Sequence, residues 1–407
     1  MKWFHGSGTL VAAASILATC ASAAPPVTYV GQWGSAGSGS SQFNSPNGVA
    51  VDGAGFVYVT DFLNNVVQKF SPSGAFVRLW GGGGTQPGQL NAPYGIAVDS
   101  AFHVYVVEYG NSRVSEFDSA GTYLRKWGSA GVGNGQFTSP TGVAVDDSGN
   151  VYVTESARVQ KFTSAGGFLT KWGSQGSGAG QFSSANGVAA FDGHVYVVDT
   201  GNSRVQAFTT MGAFTGAWGG PGSGNGQFSQ PAGAATDQYG HLFVADTDND
   251  RVQKFAANGT YLGQWGGAGT GAGQFSFPFG VAVHAGDGET YVADTFNYRT
   301  QYFTPNEAAA AGDPGEGLLA LRCLHNPARS ATQISFCLPQ AGTARLTLHD
   351  ASGRLVRELA SGWLAAGAHL AAWDLRDSAG RAVGAGAYFA RLLTAQGARS
   401  VKLTVVP

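Results

Sequence analysis

Acidic residues recur at nearly regular intervals over the first three quarters of the chain, and most are followed by an arginine, usually within an Asn-x-Arg triplet. The acids are Asp61, Glu108, Glu155, Asp199, Asp246 and Asp294. The arginines are Arg113, Arg158, Arg204, Arg251 and Arg299, with Val66 at the corresponding position of the first unit. A carboxylate and a guanidinium in every unit could form a charged binding ring. Because a ligand site usually breaks such symmetry, we interpret them as structural groups. Each acid would cap a turn, and each arginine would pair with it or with the neighbouring unit.

Two other groups of residues are, at first sight, typical of metal sites. Residues 246–250 read Asp-Thr-Asp-Asn-Asp, but Arg251 and Ala257 stand where a calcium loop needs Gly and Glu. Three histidines occupy one equivalent position in three units, so they are expected in separate, solvent-exposed turns, too far apart to share a metal. They are His103, His194 and His241. The repeated units contain no cysteine, so neither a thiol nucleophile nor a Cys-based zinc site is available there. We predict no metal and no cofactor.

A tryptophan marks each repeated unit, at intervals of 45 to 47 residues. The six are Trp33, Trp80, Trp127, Trp172, Trp218 and Trp265. Each is followed by a Gly-rich segment, a Gln-Phe or Gln-Leu pair, a Pro-x-Gly turn (Ala185 replaces Pro once) and short strands such as Val57-Tyr58-Val59. Units of this length with four short strands are typical of β-propellers. The sequence therefore predicts an all-β fold with a six-bladed β-propeller over residues 24–304.

The two ends of the repeat array complement each other. The sixth unit stops after its third strand, and residues 27–33 (Val-Thr-Tyr-Val-Gly-Gln-Trp) match the fourth strand of the fifth unit at residues 259–265. An open array would leave unpaired strand edges and an uncovered apolar face. We therefore predict that residues 27–33 form the outer strand of blade 6 and close the ring.

The order of motifs within each unit suggests a family. Pro-x-Gly-Val-Ala-Val-Asp, then Val-Tyr-Val-Thr-Asp, then Asn-x-Arg-Val-Gln-x-Phe resembles the NHL repeat over residues 27–304. The resemblance implies a propeller but leaves function open, because NHL-like propellers serve as protein-binding, RNA-binding and, rarely, catalytic modules. Residues 25–306 carry 12 Lys and Arg against 18 Asp and Glu, a net charge of −6. An RNA-binding face would need a basic excess, so we expect no nucleic-acid partner.

The chain changes character after the repeats. Residues 305–317, which include Asp313-Pro314-Gly315, are predicted to be a linker. Alternating strands and turns over residues 318–407 predict a small immunoglobulin-like β-sandwich. Asn326-Pro327-Ala328-Arg329, Asp350-Ala351-Ser352-Gly353 and Trp373-Asp374 make this segment resemble the FlgD-like immunoglobulin-type module. Such modules resemble the C-terminal sorting domains of secreted bacterial proteins, which implies export or surface retention.

The cysteines of this segment, Cys323 and Cys337, lie on strands that we expect to be neighbours. A disulfide between them and two buried free thiols are both open.

The N-terminus has the pattern of a secretory signal peptide over residues 1–23. Met1-Lys2 precede an apolar stretch from Thr9 to Ala18, and Ala21-Ser22-Ala23 is a small-residue cleavage site. Cys20 resembles a lipoprotein site, although Thr19 is unfavourable before a modified cysteine, so a lipoprotein or periplasmic location is the alternative. We expect a secreted monomer, extracellular or at the cell surface, with no membrane span.

The positions that differ between units are the candidates for ligand binding. The residue between Pro and Gly is Asn47, Tyr94, Thr141, Asn186, Ala232 or Phe279, and the loop after the second strand adds Phe62, Leu63, Tyr109, Asp248 and Phe296. Variable, partly aromatic residues on a rigid ring suit a recognition surface, although ordinary loop variation would give the same pattern. The predicted ligand-binding residues are Asn47, Tyr94, Thr141, Asn186, Phe279, Phe62, Tyr109 and Phe296.

Composition narrows the classes of function. The chain has 63 Gly and 15 Pro in 407 residues, yet 12% of it is aromatic, which is too much for a disordered low-complexity protein. We predict a secreted or surface-displayed binding or scaffold protein, not an enzyme, that recognises a protein, peptide or glycan. One alternative is a metal-dependent lactonase or lyase-like enzyme with Asn47 and Asn186 among its ligands. The other is a purely structural envelope component.

Overall fold

The computed structural model describes residues 27–305, 320–323, 328, 332–338, 340–365, 367–395 and 397–406. The predicted signal peptide with Cys20 lies outside these residues, and so does the predicted linker from residue 306 onwards. Nearly all regular structure in the described residues is β, which confirms the predicted fold class.

Six four-stranded antiparallel sheets form the blades of a propeller. The first strand, β1 (Val27–Trp33), belongs to the last blade. Blade 1 comprises β2 (Pro46–Val51), β3 (Val57–Asp61), β4 (Val66–Phe70) and β5 (Phe76–Gly81); blade 2, β6 (Pro93–Val98), β7 (Val104–Glu108), β8 (Arg113–Phe117) and β9 (Tyr123–Trp127); blade 3, β10 (Pro140–Val145), β11 (Val151–Glu155), β12 (Arg158–Phe162) and β13 (Phe168–Trp172). Blade 4 comprises β14 (Ala185–Phe191), β15 (His194–Asp199), β16 (Arg204–Thr209) and β17 (Phe214–Gly219); blade 5, β18 (Pro231–Thr236), β19 (Leu242–Asp246), β20 (Arg251–Phe255) and β21 (Tyr261–Gly266); blade 6, β22 (Pro278–Val283), β23 (Thr290–Asp294), β24 (Arg299–Pro305) and β1. Short 3-10 turns follow the second strand of blades 4 to 6, at Thr200–Asn202, Thr247–Asn249 and Thr295–Asn297.

Two contacts between distant parts of the chain close the ring. Strand β1 pairs antiparallel with β24, so that Val27 lies opposite Pro305 and Trp33 opposite Thr300. In addition, the Thr295 hydroxyl of blade 6 donates a hydrogen bond of 2.7 Å to the Pro46 carbonyl of blade 1. The residues that begin the propeller therefore also complete its last sheet.

The hydrophobic core lies between the blades. Tyr58 and Val67 of blade 1 pack with Phe117 of blade 2 and with Leu90 of the segment that connects the two blades, and the other blade pairs repeat this arrangement. The apolar residue after each linker glutamine is fully buried; these residues are Phe43, Leu90, Phe137, Phe182, Phe228 and Phe275. Burial of one such side chain contributes about 1.5–3 kcal/mol. The Gln-Phe motif thus marks where each connector enters the core.

Glycine is required where the innermost strands meet around the channel. The Pro-x-Gly glycine of each blade abuts the backbone carbonyl of the rim residue in the next blade. A Cβ on Gly48 would lie 2.5 Å from the Tyr94 oxygen, and one on Gly95 would lie 2.5 Å from the Thr141 oxygen. Backbone cannot retreat as a flexible side chain can, so these glycines set how closely the six blades approach.

The C-terminal segment forms two further sheets that share one core. One contains β25 (Ala320–Cys323), β26 (Thr332–Leu338) and β29 (Gly367–Trp373); the other contains β27 (Gly342–Asp350), β28 (Leu355–Leu364), β30 (Gly386–Thr394) and β31 (Gly397–Val405). Ile334 and Trp373 of the first sheet pack with Leu346 and Leu392 of the second. This arrangement confirms the predicted small β-sandwich.

The backbone register bears on the two cysteines, whose side chains lie outside the described residues. Cys323 pairs with Ile334 and Cys337 with Ala320, so the two are offset by three positions on neighbouring strands. Three residues correspond to about 10 Å along a strand, more than the roughly 7 Å between Cα atoms that a disulfide spans. The register therefore disfavours a disulfide between Cys323 and Cys337. Both the disulfide and the two free thiols stay predictions.

Removal of the closing strand should destabilise the whole propeller. A chain that begins at residue 35 lacks the β1–β24 pairing and the buried part of Trp33. We expect its melting temperature to fall by at least about 10 °C in a single transition, because losing a packed tryptophan alone costs about 3–5 kcal/mol. A chain that begins at residue 27 is the control. Equal melting temperatures for the two chains in calorimetry would contradict the closure.

A methyl group on the inner ring should also be costly. Gly95→Ala places a Cβ against the Thr141 carbonyl, and such overpacking costs about 1–3 kcal/mol, which lowers the melting temperature by several degrees. Gly53→Ala is the matched control, since nothing lies within 4 Å of a Cβ at that position. A melting temperature of Gly95→Ala equal to that of the control would show that the ring is looser than described.

Candidate functional site

One face of the propeller carries all the predicted ligand-binding residues. Because Pro46 pairs with Asp61, the first strand of a blade begins where its second strand ends, and the other blades share this register. The loops after the second strands therefore lie on the same face as the interblade linkers. We call this surface the linker face. It consists of linkers 34–45, 82–92, 128–139, 173–184, 220–230 and 267–277 and loops 62–65, 109–112, 156–157, 200–203, 247–250 and 295–298, together with the second residue of each inner strand, at the channel rim. These rim residues are Asn47, Tyr94, Thr141, Asn186, Ala232 and Phe279.

The repeated acids and arginines hold the linkers in place. In blade 5, Arg251 Nε donates to Asp246 Oδ2 at 2.7 Å, and the Ser229 amide donates to Asp246 Oδ1 at 2.7 Å. The Arg251 Nη2 group donates to the carbonyls of Gly224 and Gln227 in the preceding linker, at 2.8 and 2.9 Å. We call this arrangement a bracket. The same pairing occurs at Glu108–Arg113, Glu155–Arg158, Asp199–Arg204 and Asp294–Arg299.

These brackets use the charges internally. The acids are at most 3% exposed, and each arginine donates to linker carbonyls besides its acid. The repeated pairs therefore act as structural groups, as we interpreted them from the sequence, and they do not present a charged ring to a ligand.

Each linker is folded further by its own glutamine. Gln136 Oε1 accepts a hydrogen bond of 3.0 Å from the Gly133 amide, and the Phe137 amide donates to Ser129 at 2.8 Å. Equivalent glutamine bonds close the other linkers. The Gly-rich connectors are therefore ordered platforms with a defined hydrogen-bond pattern.

Blade 1 lacks the arginine, so its acid, Asp61, has no positively charged partner of this kind. Asp61 is fully buried next to Val66 and accepts hydrogen bonds from the Asn44 amide at 3.0 Å and from Asn64 Nδ2 at 2.7 Å. Burial raises the pKa of Asp61 to about 6, although the bonds from Asn44 and Asn64 work in the opposite direction. The sequence shows the missing arginine, but not that the carboxylate left behind is completely shielded from water.

Four of the predicted residues form one aromatic cluster at the channel mouth. The Tyr94 ring lies 5.2 Å from Phe279 and 5.8 Å from Phe62, both edge to face, and stacks at 6.1 Å on Tyr109. The cluster joins blades 6, 1 and 2. Burial raises the pKa of the Tyr94 hydroxyl to about 12, and the Asn186 side chain from blade 4 works in the opposite direction. We call Phe62, Tyr94, Tyr109 and Phe279 the aromatic cluster.

The other predicted residues occupy different places. Asn47 is buried at the channel and its Oδ1 accepts a bond of 3.3 Å from the Ser45 hydroxyl. The Thr141 hydroxyl donates to the Ala185 carbonyl at 3.1 Å. Phe296 stacks on Phe277 at 4.7 Å instead of joining the cluster. Phe277 is the last residue of its linker and belongs to this face as well. The repeat pattern did not single it out, because it lies outside both the Pro-x-Gly position and the loop after the second strand.

The central channel is narrow. Its wall consists of the Pro-x-Gly segments of the six inner strands, and its volume is about 60 Å³, enough for a few water molecules. A sugar- or peptide-sized ligand does not fit inside, so any such ligand would lie across the mouth.

The described residues contain no group of three or more His, Cys, Asp or Glu that could hold a metal ion. Within residues 246–250, Asp246 belongs to a bracket and Asp250 Oδ1 accepts the Phe277 amide at 2.8 Å. His241 departs from the prediction of exposed histidines: it is buried and its Nδ1 lies 2.7 Å from Asp237 Oδ2. In the part of the chain that the structure covers, no helix is long and apolar enough to cross a membrane.

Installing the missing arginine should complete the sixth bracket. In Val66→Arg, a guanidinium beside Asp61 should bring the pKa of that carboxyl from about 6 back towards its ordinary value, a gain of about 1.4 kcal/mol per unit. Because the folded-state pKa of Asp61 lies above the unfolded value, its ionisation destabilises the wild type as pH rises through 6. The stability gain of Val66→Arg should therefore grow between pH 5 and 8.

Denaturant unfolding at several pH values measures this difference. Val66→Met, which is long but uncharged, is the control. A gain that is the same at pH 5 and pH 8, or that Val66→Met reproduces, would rule out a charge effect on Asp61.

Comparison with known families and structures agrees with this architecture. Residues 43–70, 137–162, 182–208 and 228–255 match the NHL repeat, and residues 328–397 match the FlgD Ig-like domain. No curated protein matches the chain.

Among solved structures, a protein of unknown function from Bacteroides thetaiotaomicron is similar over 70% of this chain and 76% of its own, with 16% identity and a TM-score of 0.52. A gluconolactonase from Xanthomonas campestris (66% and 88% covered, 15% identity, TM-score 0.49) and a streptogramin B lyase (69% and 98% covered, 14% identity, TM-score 0.48) are also similar. At such identities the likeness concerns the fold alone. The chain therefore contains a six-bladed β-propeller with four segments that match the NHL repeat, followed by a β-sandwich that matches the FlgD Ig-like domain.

Proposed function

We propose that the chain is an exported binding module that holds its ligand on the linker face, across the channel mouth. The observation that carries the proposal is the aromatic cluster, which gathers on one side of a scaffold that is otherwise sixfold. Every blade has the same inner glycine and, apart from blade 1, the same bracket, whereas the cluster belongs to blades 6, 1 and 2. Rigid elements that present variable aromatic side chains are a common basis of recognition.

The exposed part of the cluster supports a role beyond packing. Tyr109 is 42% exposed and Leu63, in the loop beside Phe62, is 56% exposed. The stack on Tyr94 fixes the Tyr109 ring, so little side-chain entropy remains to be lost on binding. In blades 4, 5 and 6 the position of Tyr109 is occupied by a threonine whose hydroxyl bonds the next blade. Blade 2 gives up that bond and exposes an aromatic ring instead.

Export is part of the same proposal. Residues 1–23 have the pattern of a signal peptide, and the FlgD Ig-like match extends over most of the C-terminal segment. The proposed role of that domain is retention at the cell surface or sorting during secretion, with the propeller as the part that meets the ligand.

A metal-dependent lactonase or lyase is the main alternative. It would need carboxylates, amides or histidines that converge on the channel, and five of the acids near the linker face are used in brackets. Asn186 is engaged with Tyr94 and Asn47 with Ser45. Hydrolysis of a lactone that a chelator abolishes would favour the enzyme over the binding module.

Substitution on the linker face should remove binding and leave the fold intact. The chain from residue 24 to 407 is immobilised and exposed to a bacterial envelope extract, and the amount of captured ligand is measured. We expect Tyr109→Ala and Phe62→Ala each to capture at least tenfold less ligand than the wild type, because aromatic anchors dominate binding energy. Tyr239→Ala is the matched control, since Tyr239 is 38% exposed in a turn on the opposite face.

Melting temperatures within a few degrees of the wild type confirm that each variant is folded. Ligand capture by Tyr109→Ala and Phe62→Ala equal to that of Tyr239→Ala would refute the linker face as the binding surface.

A further inference from the structure

The linker face carries almost no accessible charge. None of the six linkers contains an Asp, Glu, Lys or Arg. Among the loops on this face, only 247–250 contains charged residues, Asp248 and Asp250, and Asp250 is engaged with the Phe277 amide. The acids behind the loops are buried, and so are Arg113, Arg251 and Arg299. Arg158 and Arg204 are partly exposed, but each is paired with its acid and with linker carbonyls. From the outermost strand of blade 2, the exposed Lys126 amine donates to the Thr85 carbonyl of one linker at 3.2 Å. Apart from this cation and Asp248, the linkers and loops of the face present no unpaired accessible charge.

The opposite face differs in this respect. The first turn of every blade, between its first and second strands, contains at least one acid; one from each blade is Asp52, Asp99, Asp146, Asp192, Asp237 and Asp287. Asp147, Asp192 and Asp287 are exposed there. Charge is thus segregated between two faces of one ring, although both are made of turns and loops.

A neutral face selects against charged ligands. An ionic ligand that settles on it loses hydration and gains no opposite charge in return, which is unfavourable. Nucleic acids, acidic polysaccharides and strongly charged peptides are disfavoured in this way. The one accessible acid, Asp248, lies in blade 5, across the ring from Tyr109 in blade 2.

The groups that remain are aromatic rings, amides, hydroxyls and backbone. The Tyr109 ring offers a fixed, half-exposed surface. The exposed Asn91 side chain lies against Gly110, the residue that follows Tyr109 in the same loop. Asn91 Nδ2 in turn donates to Asn111 Oδ1 at 3.3 Å. A pyranose ring matches this set: its C–H face stacks on an aromatic ring while its hydroxyls exchange hydrogen bonds with amides. An apolar peptide would instead need a concave apolar pocket, and the channel of about 60 Å³ does not provide one.

We infer that the linker face binds an uncharged polysaccharide chain, which stacks on Tyr109 and runs across the channel mouth. This inference rests on the proposed function and names its ligand class.

Affinity electrophoresis of the chain from residue 24 to 407 tests the inference with pairs of polymers that differ in charge. The probes are hydroxyethylcellulose against carboxymethylcellulose, and neutral galactan against polygalacturonate, with xyloglucan, laminarin and dextran as further neutral polymers. We expect retardation by at least one neutral polymer. Its affinity should fall about tenfold or more in Tyr109→Ala, stay within about threefold in Tyr109→Phe, and be unchanged in Tyr239→Ala. Because no ion pair contributes, raising NaCl from 50 to 500 mM should leave the affinity unchanged.

The possible results distinguish the choice of a neutral polysaccharide as the ligand from the proposed binding function. A charged polymer or a protein as the ligand, lost in Tyr109→Ala, would overturn the glycan inference and leave the binding module standing. Neutral-polymer binding that Tyr109→Ala retains would overturn the placement on this face. If no polymer and no envelope component shows binding that depends on Tyr109 or Phe62, both the inference and the proposed function fail.

Discussion

The shape of the linker face depends on one interaction, a buried carboxylate shared between an arginine and the linker backbone. In blade 5, Asp246 accepts from Arg251 and from the Ser229 amide, while Arg251 donates to three carbonyls of the linker. A buried ion pair is a modest source of stability, but removing one partner leaves an uncompensated charge and costs several kcal/mol. The bracket therefore fixes geometry: it turns a Gly-rich connector into a platform, and it withdraws its own charges from the surface.

The repeat pattern was sufficient to predict the architecture, because each feature of a propeller unit has a local physical cause. Strand alternation, the Gln-Phe pair that inserts into the core and the Pro-x-Gly turn can all be read from single units. The closing strand could be predicted as well, since residues 27–33 match residues 259–265. The role of the inner glycines was not visible, because their neighbour is a carbonyl in another blade, 44 to 46 residues further along the chain for five of them and at Asn47 for Gly280.

The candidate site was predictable only as a set of positions. Sequence comparison between units singled out Tyr94, Tyr109 and Phe279, but contacts across the channel mouth decide which residues meet. Tyr94 reaches blades 1, 6 and 4 at once, and Phe296 instead pairs with Phe277. Such contacts depend on the diameter of the ring of blades, and the sequence pattern of a single repeat does not predict that diameter. The charge segregation, by contrast, is present in the sequence and becomes meaningful once the linkers are known to share one face.

Hydrogen–deuterium exchange measures directly whether the Gly-rich linkers form a preorganised platform. With mass spectrometry on the chain from residue 24 to 407 at neutral pH, we expect peptides from all six linkers to exchange at least about a hundredfold more slowly than an unstructured chain, because linker amides bond to the bracket acids and to the linker glutamines. The linkers are 34–45, 82–92, 128–139, 173–184, 220–230 and 267–277. Exchange of these linkers at the unstructured rate, with the blade strands protected, would contradict this expectation.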